Sequence, residues 1–422
     1  MIRLLRKIVG LLVFAGIIFG GLEISLRTLP ELIPLTLLKR FQKDLRVDIA
    51  QQRSLWNESL MWELKRDDGG PPLKLFKPHT EFTYNFGKNE KGVTYMDDQG
   101  FCNPSRNPYD LSKIDVIAIG DSFTWCVVLN PEATWASQIG EISGLSVYNL
   151  GRGGIGPYDY LQILKHFGLP KKPDYVVMNI YEGNDLRDSI RYQDHIKAAQ
   201  QGRVLYKSAS DRGTQDIDID SLLDYPVLRN SYSLNFTLAV IDKAYGILKN
   251  AVSRLLGGDA PEIIDFHYRF RFPDKTVEFN LQNADESEVL YAKKLKSGEV
   301  DFVAIEDALT QFVELANAHG FKPVVAYSPS AYTSYADYVE FDDPVLNTLM
   351  PWFSQAQRQF LSETADKLGY TFVDLAPAMQ AAGHALREKE MLYHPINVHF
   401  TMKGNRIVAE TLARVISSQP ND

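Results

Sequence analysis

Cysteine is scarce in this chain, with 2 among 422 residues, so neither a thiolate metal cluster nor a disulfide-dense framework organises it. Its 8 histidines follow no metal-ligand spacing, and neither a metal nor a cofactor is expected. A cationic excess is also missing. The formal net charge of −8 and the pI near 5.6 exclude a general nucleic-acid binder, which needs a basic surface. Low-complexity tracts and repeats of roughly 20–50 residues are absent. What is present, 45% hydrophobic and 11% aromatic residues, is ample for one large domain carrying an elaboration.

Long apolar runs are lacking too. The longest near the N-terminus, Ile8 to Leu22, spans 15 residues, about 22 Å of helix against a hydrocarbon core of roughly 30 Å. Arg3, Arg6 and Lys7 precede it, Glu23 and Arg27 follow, and no small-x-small cleavage site ends it. Residues 1–29 therefore read as an uncleaved signal anchor, a single transmembrane helix with the N-terminus inside and the rest periplasmic or extracellular.

The stretch that organises the chain is Asp115 to Trp125, D-V-I-A-I-G-D-S-F-T-W. Val116 to Ile119 have the length and β-branching of a buried strand, and Gly120-Asp121 ends it just before Ser122. A serine on a strand-to-helix turn has an exposed hydroxyl with backbone N–H groups beside it, which suits an acyl-transfer nucleophile. The alternative is an N-cap serine opening a helix, because the sequence reads as helical from there to about Ser143.

Further strands are expected at Val147 to Leu150, Tyr175 to Ile180, Pro323 to Tyr327 and Thr371 to Leu375, with helices at Asp301 to Gly320 and about Pro351 to Leu368. This alternation predicts a three-layer α/β/α sandwich with a parallel sheet. A glycine-rich loop, Asn149 to Pro157, follows the second strand and offers backbone N–H donors. Asn184 lies at the carboxyl end of the third, the edge where open α/β sheets bind ligands. Residues 30–110 read as a helical stem followed by short extended segments. Residues 189–300 form an insertion, or cap, with an Asp-rich solvated loop at 216–220. Its helix, from about Ser231 to Leu256, has a stripe of Leu234, Leu238, Ile241, Tyr245, Leu248, Val252 and Leu255 expected to pack into a core. Phe266 to Phe272, F-H-Y-R-F-R-F, reads as a strand that either packs a cap on the main domain or lines a sugar cleft. Cys102 and Cys126 can pair in an oxidising compartment or remain two buried thiols.

Four blocks taken together carry a resemblance: G-D-S-F-T with Ser122, N-L-G-R-G-G at 149–154, G-N-D at 183–185, and L-Y-H-P-I-N-V-H-F-T near the C-terminus. In this order they resemble the SGNH (Gly-Asp-Ser-Leu type) hydrolase superfamily, including its membrane-anchored bacterial members, over residues 111–188 and 301–422. The resemblance implies Ser122 as nucleophile and His399 as base. It implies an oxyanion hole from the Ser122 N–H, the Gly154 N–H and the Asn184 side chain, with Asp121 and His394 as site neighbours. It also implies a serine esterase or acyltransferase acting on acyl esters, O-acetyl groups of envelope or extracellular glycans in particular. One departure stands out. Relatives of this type carry an aspartate two or three residues before the histidine, where this chain has Asn397 or Ile396. An asparagine carbonyl can accept the histidine N–H but supplies no negative charge, a change that costs on the order of 10⁴ in rate in a serine-protease triad. Asn397 thus supports an alternative, a catalytically impaired glycan-binding or assembly protein on the same fold.

Overall fold

Every residue of Val116–Gly120 and of Tyr175–Tyr181 is buried, the pattern of central parallel strands covered on both faces. In the computed structural model these strands belong to a five-stranded sheet. Its order is Thr371–Asp374, Lys322–Ser328, Tyr175–Tyr181, Val116–Gly120 and Val147–Asn149, with every pairing parallel. Helix Trp135–Ser143 packs on Met402–Ser418, while Val303–His319 packs on Pro157–Ile163 and Asp185–Gln200. The architecture is α/β with a parallel sheet, as the strand and helix alternation predicts. Because all strands run the same way, the loops after three adjacent strands emerge at one edge: Ser122 after Val116–Gly120, Gly154 after Val147–Asn149, and Asn184 after Tyr175–Tyr181.

The structure describes residues 2–85, 90–104, 111–202, 229–255, 266–279 and 286–418, and the chain divides into two units. One comprises Met1–Leu60 and Lys207–Ile263; the other comprises Met61–Tyr206 and Ile264–Asp422 and holds the sheet. This division differs from the expected boundaries. The 30–110 stretch splits at Leu60, because residues beyond it form two antiparallel strand pairs, Met61–Leu64 with Leu73–Phe76 and Glu81–Asn85 with Lys91–Tyr95. These pack with the sheet-bearing unit through Phe76 and Phe82, whose rings lie 5.1 Å and 6.1 Å from that of Trp125. A disulfide between Cys102 and Cys126 ties the same segment to the chain just beyond Ser122.

Three expectations require correction. The sequence after Ser122 is not helical: residues 121–129 are a run of turns and the helix begins only at Trp135, capped by the Thr134 hydroxyl. Val128 sits at φ 59° and Pro131 follows it, a local backbone that a helix cannot accommodate. Ser122 is therefore not an N-cap. Helix Tyr232–Leu255 forms as expected, but it buries Tyr232 and Ala239 against Leu26, Ile33, Leu37, Leu38 and Phe41, leaving Ile241, Tyr245 and Leu248 exposed. Periodicity identifies an apolar stripe without saying which face finds a partner. The N-terminal helix is real, Ile2–Thr28, yet among the described residues no helix is long and apolar enough to cross a membrane. Its apolar run is too short, and Glu23 and Arg27 close it with an ion pair inside the same helix. The Asp-rich loop at 216–220 lies outside the described residues.

The segment Phe266 to Phe272 resolves as a packed strand. Tyr268–Arg271 is the middle strand of an antiparallel sheet between Val339–Phe341 and Thr276–Phe279, with Phe266, Tyr268, Phe270 and Phe272 buried. Arg269 and Arg271 point outward to Asp342 and Glu340.

The disulfide generates a stability prediction. Closing a loop with a sequence separation of 24 removes chain entropy worth about 3 kcal/mol from the unfolded state. Replacing Cys102 and Cys126 together by serine is expected to lower the thermal midpoint by several degrees, read by calorimetry. Equal midpoints for the two proteins would show that the bond adds nothing.

Candidate active site

Ser122 is presented by a knot of hydrogen bonds around Asp121. The Asp121 carbonyl accepts the N–H groups of Thr124 and Trp125 at 3.1 and 3.0 Å, and its carboxylate accepts the Phe123 N–H at 2.8 Å. The turn closes back on itself and leaves Ser122 partly exposed at the sheet edge. The glycine loop seats directly against it. A Cβ on Gly151 would lie 2.7 Å from Thr124, and one on Gly153 would lie 2.9 Å from the Trp125 ring and 3.5 Å from the Ser122 Cβ. Asn149 locks the two loops together, donating to the Thr124 carbonyl at 2.8 Å and accepting the Gly151 N–H at 2.8 Å.

His399 lies against the nucleophile, its Nε2 2.8 Å from the Ser122 Oγ. On the other side of the ring, Nδ1 is 2.8 Å from the Asn397 backbone oxygen and 3.3 Å from its side-chain oxygen. A carbonyl oxygen only accepts, so the hydrogen sits on Nδ1 and Nε2 is left bare to receive the serine proton. The expected role of Asn397 is thereby refined: its backbone carbonyl is the nearer acceptor, while its Oδ1 accepts the His399 N–H at 3.0 Å and shapes the turn. Between them Val398 occupies the left-handed region at φ 60°, a strained setting for a β-branched residue. The Phe123 ring stacks on His399 with centroids 4.8 Å apart and is backed by Tyr181 at 3.6 Å.

Burial lowers the His399 pKa to about 4, opposed by the Asn397 carbonyl and reinforced slightly by His394. Among the described residues no carboxylate counters the loss of water around the ring, as an aspartate would. Burial likewise pushes Asp121 up to about 7, with the Phe123 N–H and the Asn184 amide acting against it. Asp185 is raised by burial and by the charge of Asp121; it accepts from Tyr160 at 2.5 Å and from the Tyr181 N–H at 2.7 Å.

The remaining predicted residues take distinct places. Gly154, at φ +76°, occupies an open position on the glycine loop. The Asn184 Oδ1 is buried without a partner, and an amide bearing two hydrogens can face Asp121 with one and the site with the other. His394 does not line the pocket; its backbone brackets the turn, donating to the His399 carbonyl at 2.8 Å and accepting from Val398 at 2.9 Å. Its ring is half-buried, with a pKa lowered to about 4 by desolvation. The shallow pocket beside Ser122 and His399 is walled by Phe123, Trp125, Val127, Leu129 and Phe400, with Asn405 as its polar member. No cluster of three or more histidine, cysteine, aspartate or glutamate residues suited to a metal occurs among the described residues. Sequence reasoning missed Glu90, which reaches the 396–399 turn from 306 residues away; no local signal marks it. It also missed Phe123, whose place beside Ser122 was the available hint.

A neutral imidazole is required for proton acceptance, and protonation removes it as pH falls. With the His399 pKa near 4, kcat/KM for an activated ester is expected to stay level as the pH drops past about 6.5, the value for a free imidazole, and to decline only near pH 4. The Asn397→Asp variant supplies a negative charge beside Nδ1 and shifts that limb upward. A wild-type limb between about 6 and 7 would contradict the half-buried, uncompensated histidine.

No known family profile matches the chain, and no curated protein matches it. Solved structures do. A G-D-S-L family protein from Desulfitobacterium hafniense DCB-2 is 16% identical, with 72% of this chain and 99% of that chain covered at a TM-score of 0.34. The acetyl xylan esterase AlAXEase is 15% identical, with 72% and 100% covered at 0.35. Axe2, an acetylxylan esterase from Geobacillus stearothermophilus, is 12% identical, with 74% and 98% covered at 0.34. The chain is thus similar to these structures over roughly three quarters of its length, at identities and TM-scores that leave its activity to be argued from the site.

Proposed function

We propose that this protein is an SGNH-type serine esterase or acyltransferase that acts on small acyl esters, with O-acetyl groups of a glycan as the substrate class. The observation that carries the reading is the 2.8 Å contact between the Ser122 Oγ and a His399 Nε2 left unprotonated by the Asn397 carbonyl. In this reading the serine oxygen attacks the ester carbonyl as its proton passes to Nε2. The alkoxide leaves with that proton, and an acyl-Ser122 remains for water or a sugar hydroxyl to take up. The Ser122 and Gly154 N–H groups and the Asn184 amide serve as donors to the oxyanion. A base of low pKa accepts a proton with less driving force, so turnover is modest rather than fast.

Phe123, Trp125, Val127, Leu129 and Phe400 place an apolar lining beside Ser122 and His399, which suits the apolar end of a small acyl group. The acetylxylan esterases of similar fold agree with a glycan acetyl ester. The impaired-protein alternative loses its main support, since His399 is held by a backbone oxygen without an acid at 397. Wild-type protein is expected to hydrolyse p-nitrophenyl acetate and to lose at least about 10³ in kcat on Ser122→Ala, with p-nitrophenyl octanoate turned over far more slowly. Equal rates for wild type and variant would remove the hydrolase assignment, and equal rates for the two esters would remove the small-acyl one.

Export of the sheet-bearing unit completes the proposal. It is supported by the Cys102–Cys126 disulfide, a bond that persists in oxidising compartments. A phosphatase fused after Asp422 is expected to be active in cells, whereas a reporter that works only in the cytosol stays dark. The reverse pattern would replace an envelope ester with a cytosolic one.

A further inference from the structure

The turn that carries His399 is gripped from outside by one side chain. Glu90, 4% exposed, accepts the Ile396 N–H at 2.6 Å with Oε1 and the Asn397 N–H at 2.9 Å with Oε2. Two successive backbone donors meeting the two oxygens of one carboxylate form a short, charge-assisted fork. In the same residue is the Asn397 carbonyl that fixes the Nδ1 hydrogen. Val398 comes next, in a backbone conformation that persists only where its neighbours over-determine it. Glu90 lies just ahead of the Lys91–Tyr95 strand. That strand is itself tied to the nucleophile turn, because the Thr94 hydroxyl donates to the Cys126 carbonyl at 3.1 Å. The same short segment therefore reaches both the serine turn and the histidine turn.

We propose that Glu90 is the positioning carboxylate of this site, taking from the N-terminal extension the place of the acid that position 397 lacks. The inference rests on the serine hydrolase reading. Glu90 does not touch the imidazole; it acts through the 396–397 backbone. By holding both N–H groups it sets the direction of the Asn397 carbonyl, and with it the tautomer and tilt of His399. The Nδ1 hydrogen stays in place throughout, while Nε2 takes the Ser122 proton. A neutral amide at position 90 could not substitute. It offers one acceptor to two buried donors and leaves the second N–H facing an NH₂ group.

The test uses full-length wild type, Glu90→Gln, Asn397→Asp and the double variant, with two readouts. The first is kcat and KM on an activated acetyl ester. The second is the imidazole ¹⁵N shifts of His399 at neutral pH, which report the tautomer whether or not the protein turns over. Glu90→Gln is expected to lower kcat by about 30-fold or more with KM within about twofold, and to convert a pure Nδ1–H tautomer into a mixture. Asn397→Asp in the Glu90→Gln background is expected to recover about tenfold or more in kcat. In the wild-type background it gains less, because two carboxylates then crowd one turn. The proposal is overturned if Glu90→Gln keeps wild-type kcat and tautomer, or if Asn397→Asp fails to rescue it, which would mark Glu90 as a brace of the fold alone. A wild type without esterase activity whose His399 tautomer still depends on Glu90 would overturn the hydrolase reading and uphold the positioning role.

Discussion

A histidine can serve Ser122 as a base only if its hydrogen sits on the far nitrogen, and here the nearer of two acceptors decides that: the Asn397 backbone oxygen, 2.8 Å from Nδ1. In a triad the acceptor is a carboxylate, which orients the ring and stabilises the charge it gains. This site separates the two tasks. Orientation comes from a backbone carbonyl, and Glu90, which grips the turn from behind, does not touch the ring. The consequence is a half-buried imidazole that resists protonation, available as a base over a wide pH range but a weak one.

The rest of the sheet-bearing unit can be understood as what keeps that geometry fixed. Parallel strands deliver three loops to one edge, and glycines at 151 and 153 let two of them close without a gap. Phe123 pins the imidazole plane against Tyr181. The segment from Met61 to Asn103 works as an outer clasp: Phe76 and Phe82 pack on Trp125, Cys102 binds Cys126 covalently, and Asn103 donates to the Asn149 carbonyl at 3.0 Å. An extension that reads from the sequence as a stem and short extended segments is thus part of the architecture of the site.

How much of this was legible in the sequence follows from the range of the forces involved. Val116 to Ile119 announced a buried strand because four adjacent apolar side chains are a local signal, and Gly320 announced the end of a helix because its left-handed φ of 76° is a local requirement. Ser122, Asn149, Asn184 and His399 were found through spaced motifs, which encode the order of loops along one sheet edge. The turns after Ser122 were misread as helix, since composition there is permissive and the decisive factors are Val128 at positive φ and the packing of Trp125. The exposed face of Tyr232–Leu255 was misread because periodicity does not name a partner. Glu90 was invisible. Its role depends on a contact across 306 residues, and an isolated glutamate before a strand looks like any solvated charge.

The central claim is that Ser122 is a nucleophile activated by His399, and covalent capture tests it most directly. Treating the protein with a serine-directed fluorophosphonate and mapping the adduct by peptide mass spectrometry is expected to place the label on Ser122 in wild type. The same treatment is expected to leave His399→Ala essentially unlabelled. A label on another serine, or equal labelling of Ser122 in wild type and His399→Ala, would contradict the account.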